Sequence, residues 1–185
     1  MKRRNVLKSL AASAVPAGAA AADTQWSNPF AKSWRDSFLS HWADTKTYTL
    51  AMMEAMPDDG FASKPDPAQR GFGEQFIHIA RANNAYMTAF GIGKAPTPPE
   101  ASTKQACRQF LTASFDYVTE VLHKMEEKQL LRGDYKFSPR LPPHSGTDLF
   151  MRAYMHTAHH RGQAVVYLRV KGIVPPTWKF EPTGA

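Results

Sequence analysis

His156 and His160, four positions apart, are the pair whose residue type and spacing best suit chemistry in this 185-residue chain. If Met155–Gln163 is helical, 100° per residue brings the two rings within about 40° of one direction, one turn apart. Two imidazoles so placed can hold one metal ion through facing nitrogens. Leu149, Ala153, Gln163 and Tyr167 share that face, which therefore looks inward. His159 lies about 100° from His160 and needs a different orientation. Spacing alone is a weak signal, because seven histidines placed at random give roughly 0.26 such pairs per chain. Thr157 stands where a zincin helix, HExxH, carries its glutamate, so that mechanism is excluded.

A third ligand would complete the open, three-ligand geometry of a catalytic metal site. His78, in Gly73-Glu74-Gln75-Phe76-Ile77-His78-Ile79-Ala80, is the best candidate. It points about 120° from the centre of the Phe72/Phe76/Ile79 stripe, and it reads equally well as a boundary histidine without a partner. His41 falls on the apolar stripe of its own segment and reads as an inert core histidine. His123 lies off its stripe and is expected in solvent, and His144 sits in a loop. Glu120-Val121-Leu122-His123 is the only Glu-x-x-His element, so a di-iron carboxylate site, which needs two, is excluded. Glu74, one turn before His78, and His159, beside His160, are the nearest groups in sequence that could take or relay a proton. Each also reads simply as a solvated polar residue. Gln163, one turn beyond His160, buttresses a ligand or fills the interior. Arg161 orients an anionic substrate or pairs with a surface acid.

The elements that must position these groups are marked by proline and glycine. Residues 28–56 carry Trp34, Phe38, His41, Thr45, Tyr48, Met52 and Ala55 at helical steps, stopped by Pro57-Asp58-Asp59-Gly60. A second helix is expected over 71–90, ending at Gly91 and Gly93. A third is expected to begin at Thr97-Pro98-Pro99-Glu100, with Thr at the cap, Pro at the first position and Glu at the third. It should carry Cys107, Phe110, Leu111, Ser114, Val118, Val121, Leu122 and Met125 inward and close at Gly133. After a loop over 132–146 the fourth helix runs from about Ser145 or Thr147 to Lys171, stopped by Gly172 and Pro175-Pro176. No segment alternates with period two, so the economical architecture is an all-α, single-domain four-helix bundle.

Composition narrows the function. With 43% hydrophobic and 21% charged residues the chain can build a core. Of its net charge of +7, four charges (Lys2, Arg3, Arg4, Lys8) lie in residues 1–22 with no acid, leaving +3 on the rest. No basic run follows residue 8, and nucleic-acid binding has no support. A single cysteine, Cys107, excludes an internal disulfide, a Cys-rich zinc module and a CxxCH haem attachment. Residues 1–22 combine a charged start, a short apolar middle and Ala20-Ala21-Ala22, the parts of an export signal. Arg3-Arg4-Asn5-Val6-Leu7-Lys8 is similar to the twin-arginine type, with Val6 where that pattern prefers Phe. The apolar stretch is too short for a stable membrane anchor. An exported protein, periplasmic or extracellular, is expected, with residues 23–185 forming the folded domain.

Taken together, Gly73-Glu74-Gln75-Phe76-Ile77-His78-Ile79 and His156-Thr157-Ala158-His159-His160-Arg161-Gly162-Gln163, continuing through Tyr167-Leu168-Arg169 to Gly172-Ile173-Val174-Pro175-Pro176, resemble the DinB/YfiT-like superfamily of metal-dependent bundle proteins. The resemblance extends from near Phe30 to near Pro176. It implies an up-down-down-up four-helix bundle with one divalent metal (zinc, nickel, iron or manganese) held by His78, His156 and His160. The histidine directly before Arg-Gly-Gln is the family's ligand, which selects His160 over His159. It also implies a homodimer and a small-molecule substrate, since relatives with assigned activities include thiol S-transferases and a thiol-dependent maleylpyruvate isomerase. A divalent ion on three neutral imidazoles lowers the pKa of bound water or thiol and polarises a substrate oxygen. The expected activity is therefore a metal-dependent hydrolase or thiol-dependent transferase. The alternatives are a non-catalytic exported bundle that binds metal for storage, sensing or structure, and a plain interaction bundle with incidental histidines.

Overall fold

A computed structural model describes residues 26–136 and 138–178. Residues 1–22, where an export signal is expected, lie outside them. Helix α1, Pro29–Glu54, starts where the Asn28 side-chain oxygen accepts the N–H groups of Phe30 and Ala31, with Pro29 at the first position. Its buried face is Ala31, Arg35, Phe38, Trp42, Thr45, Thr49 and Met52. That stripe is rotated from the expected one. Trp34 and Tyr48 are only half-buried, and so is His41, which edges a groove against Tyr154 and is not a core residue. Trp42 fills the centre instead, donating its indole N–H to the Phe115 carbonyl at 3.1 Å.

Helix α2, Phe72–Thr88, begins at Gly71, whose N–H is capped by the Glu74 carboxylate at 2.6 Å. The expected start of the third helix at Thr97 is corrected: helix α3 spans Lys104–Lys124, with Thr103 as its cap. The reason lies in Pro98-Pro99. A proline disfavours the helical region for the residue before it, so Pro98 cannot open a helix and residues 94–103 stay irregular. The helix also stops short of Gly133. Met125 turns to extended backbone, and a separate short helix, α4, occupies Glu127–Leu131. In the loop that follows, Tyr135 and His144 exchange backbone hydrogen bonds of 3.0 and 2.8 Å in an isolated bridge. His144 does lie in that loop but is buried, its Nδ1 against Asp148 Oδ2 at 2.6 Å. His123 is exposed. Helix α5, Gly146–Val170, is capped by Ser145 and ends at Gly172, whose φ of 71° suits the left-handed stop.

The pairing of residues across helices fixes the topology. Trp34 and Phe38 meet Phe150, His41 meets Tyr154 and Thr49 meets Arg161, so α1 and α5 run parallel. The Cys107 thiol reaches Gly73 and the Ser114 hydroxyl reaches Ala80, so α2 and α3 also run parallel. Lys104 donates to the carbonyls of Glu54 and Met56 while Trp42 meets Phe115, which makes α1 and α3 antiparallel. Gln75 pairs with Tyr167 and Asn83 with Thr157, which makes α2 and α5 antiparallel. The result is an up-down-down-up four-helix bundle with α1 and α2 on one diagonal. Its core is aromatic and Met-rich: Trp42, Phe72, Phe76, Phe115, Phe150, Tyr167, Met52, Met53 and Met56 are all buried, each worth about 1.5–3 kcal/mol on removal from water. No helix among the described residues is long and apolar enough to cross a membrane.

Candidate metal centre

Helix α2 is buried on two sides, against α3 and α5, and its α5 side carries a polar row: Gln75, His78 and Asn83. This explains how His78 can lie off the aromatic stripe and still face the interior. The stripe marks the side packed with apolar neighbours, whereas His78 faces α5. There it meets His156 and His160, with ring centroids 4.9 and 4.5 Å away, while the two α5 rings are 4.4 Å apart. One nitrogen of each ring lies within 4.8 Å of the others, a set able to hold a metal ion. His159, by contrast, points outward and is exposed.

The nitrogens are spaced as a shared cation requires. His78 Nε2 and His156 Nε2 are 3.2 Å apart, close to the separation of about 3.3 Å that two nitrogens adopt on a tetrahedral ion at 2.0–2.1 Å. His156 Nδ1 is buried with no hydrogen-bond partner. Burial, then the neighbouring His78, lowers the His156 pKa to about 4, and burial, then His156, lowers that of His160 to about 4. His78 is also pushed below the ordinary imidazole value, by burial and by the guanidinium groups of Arg70 and Arg81. All three rings are therefore neutral near pH 7, the form in which imidazole binds metal.

The surroundings assign the tautomer of His160. The Tyr167 hydroxyl donates to the Arg70 carbonyl at 2.6 Å and so accepts from Gln75 Nε2 at 2.9 Å. That turns Gln75 Oε1 toward His160 Nδ1, again at 2.9 Å, where Gln163 Oε1 also lies at 2.9 Å. Two oxygen acceptors require a proton on Nδ1, which leaves the Nε2 lone pair for a metal. Gln163 thus accepts from His160, the contact that a ligand-buttressing role requires. Gln75 and Tyr167, given no role by sequence reasoning, complete the support. Gln163 Nε2 also donates to His159 Nε2 at 3.1 Å, linking the exposed histidine to the ligand.

His78, alone of the three histidines, lines a cavity of about 400 Å³ with Arg70, Glu74, Ile77, Arg81 and residues 99–102. Glu74 is exposed there, one turn from His78. Arg161 is not on the surface and pairs with no acid among the described residues. It is 7% exposed, donates to Thr49 at 3.3 Å and is stacked on the rings of Tyr48 and Trp178. Cys107 is buried and its thiol is pushed up to about 12 by desolvation, so it supplies no thiolate.

An up-down-down-up bundle with three histidines converging between its second and last long helices defines a class of helical proteins with a candidate metal centre. Residues 27–182 match the model of the DinB family, and the chain belongs to that family. Two solved structures share its fold. A DinB-like protein from Bacillus cereus ATCC 10987 aligns with a TM-score of 0.64 at 20% identity over 78% of this chain and 97% of its own. A DinB-like protein from Bacillus subtilis aligns with a TM-score of 0.62 at 20% identity over 77% of this chain and 96% of its own. No curated protein matches.

Proposed function

We propose that the protein is a metal-dependent enzyme acting on a small molecule, with one divalent ion held by His78, His156 and His160. The observation that carries this reading is the convergence of three neutral imidazoles from two helices beside an open cavity. A bound divalent ion supplies Lewis acidity there, lowering the pKa of water or a thiol and polarising a substrate oxygen. The chain supplies the rest. His160 is held in one tautomer by Gln75 and Gln163. Glu74, whose Oε2 accepts the Gly71 N–H, keeps its other carboxylate oxygen for a proton from a nucleophile in the cavity it lines with His78. His159 is the weaker proton carrier, because its Nε2 already accepts from Gln163. Ile77 gives the cavity an apolar wall.

The reaction is hydrolysis or transfer to a thiol, and both belong to one test. Purified protein is assayed on esters, amides and activated electrophiles, with and without a low-molecular-weight thiol. Metal-dependent turnover lost in His78→Ala and His160→Ala and reduced about 100-fold or more in Glu74→Gln supports the reading. Stoichiometric metal without turnover across the panel favours the storage or sensing role instead. Export and a homodimer form part of the same proposal. Fusing residues 1–25 to a reporter tests the first, with Arg3→Lys/Arg4→Lys expected to hold it in the cytoplasm, and light scattering tests the second.

A further inference from the structure

Two guanidinium groups stand beside the triad with no acidic partner among the described residues. Arg70 and Arg81 are both exposed, and both line the 400 Å³ cavity with His78. Arg81 comes from α2, one turn beyond His78, on the row Glu74, Ile77, His78, Arg81 that forms the cavity floor. Arg70 comes from the loop before that helix. Its backbone is anchored, since its carbonyl accepts the Tyr167 hydroxyl at 2.6 Å in the network that orients His160. Arg70 also lines a second cavity, of about 380 Å³, with Gln75 and Gln163. Two carboxylates share the wall, Glu74, whose Oε2 accepts the Gly71 N–H, and Glu100, so the two guanidinium groups offer their hydrogen-bonding forks on a wall close to charge balance.

We propose that this cavity binds the carboxylate of a small organic acid between Arg70 and Arg81, with the remainder of the molecule against His78. The second half of that statement rests on the metal-site reading, and the first does not. Guanidinium presents a planar fork that matches a carboxylate through paired hydrogen bonds. A wall on which Arg70 and Arg81 are balanced by Glu74 and Glu100 suits a single negative charge better than the double charge of a phosphate. The site takes over the anion-orienting role that sequence reasoning gave to Arg161, which is buried elsewhere.

The test is an NMR titration of the purified protein, metal-free and again after zinc loading, with sodium succinate as the probe. Saturable shifts at the Arg70 and Arg81 side-chain N–H signals are expected. Binding should be about tenfold or more weaker in Arg70→Gln and in Arg81→Gln. It should be unchanged in the surface variant Lys171→Gln, and succinamide should not bind. Both arginine variants should melt as the wild type does and take up as much zinc. Equal succinate affinity in the arginine variants, absence of saturation, or tighter binding of inorganic phosphate overturns the proposal. Failure to take up zinc overturns the metal reading and leaves the metal-free succinate result to decide the carboxylate site.

Discussion

Two amide oxygens at 2.9 Å both demand a proton on His160 Nδ1, which leaves its Nε2 lone pair for a metal. Gln75→Leu is therefore expected to weaken zinc binding by about 10- to 100-fold, measured by competition with a chelating dye. Gln163→Leu should cost less, since Gln163 is only half-buried whereas Gln75 is buried and fixed by the Tyr167 hydroxyl. The depressed histidines carry a second expectation. With His156 and His160 lowered to about 4 and His78 lowered as well, zinc affinity should fall less between pH 7 and 6 than ordinary imidazoles would allow and drop steeply toward pH 4. Rings near the ordinary 6.5 would lose affinity between pH 7 and 6. In metal-free protein the unfolded chain takes up these protons first, so stability should decline as pH falls from about 6.5 to about 4. The i,i+4 pair was legible in the sequence because helical geometry alone puts both rings on one face. The convergence of His78 with it was not, since its off-stripe angle has meaning only once α5 covers that side of α2. Arg70 and Arg81 carried no signal, because their shared cavity is made by a loop and a helix turn that tertiary packing brings together.

Helix α2 lies close to its neighbours because Gly73 has no side chain. A Cβ there would meet the Ser102 carbonyl oxygen at 2.6 Å and a Phe61 ring carbon at 2.9 Å. Gly73→Ala is expected to destabilise the fold by about 1–3 kcal/mol in urea denaturation. It should also perturb zinc affinity, because it moves the helix that carries His78. Gly146 is tighter still, since a Cβ there would run into the Leu130 and Gln129 carbonyls. Helix existence and order were legible from the apolar steps and the Pro/Gly breaks. Starts and faces were less so. The α3 start moved from Thr97 to Thr103 because the second proline constrains the first. The α1 stripe rotated because Trp34 and Tyr48, counted as inward from their hydrophobicity, sit at the edges of grooves while Arg35 and Thr49 are buried.

Because α2 and α3 are consecutive and parallel, the segment over residues 89–103 runs the length of the bundle, from Ile92 at Tyr117 to Ser102 beside Gly73, and the segment after α5 closes it. Pro176 accepts the Tyr48 hydroxyl at 3.2 Å, and Trp178 covers Arg161, which is also stacked on Tyr48. Truncation after Ile173 should uncover that cation and lower stability by about 1–2 kcal/mol, read as a shift in the denaturation midpoint with an unchanged slope. This closure was beyond sequence reasoning, since Tyr48, Arg161 and Trp178 are far apart along the chain. The up-down-down-up order was not determined by helical periodicity, which leaves direction and handedness open. The family resemblance implied it, and the cross-helix pairs establish it. The central claim is that His78, His156 and His160 form one site, and elemental analysis of purified protein tests it most directly. About one divalent ion per chain is predicted for the wild type and for His41→Ala, with loss in each of His78→Ala, His156→Ala and His160→Ala. A wild type that neither retains nor rebinds metal, or a His78→Ala variant that keeps it, would contradict the account.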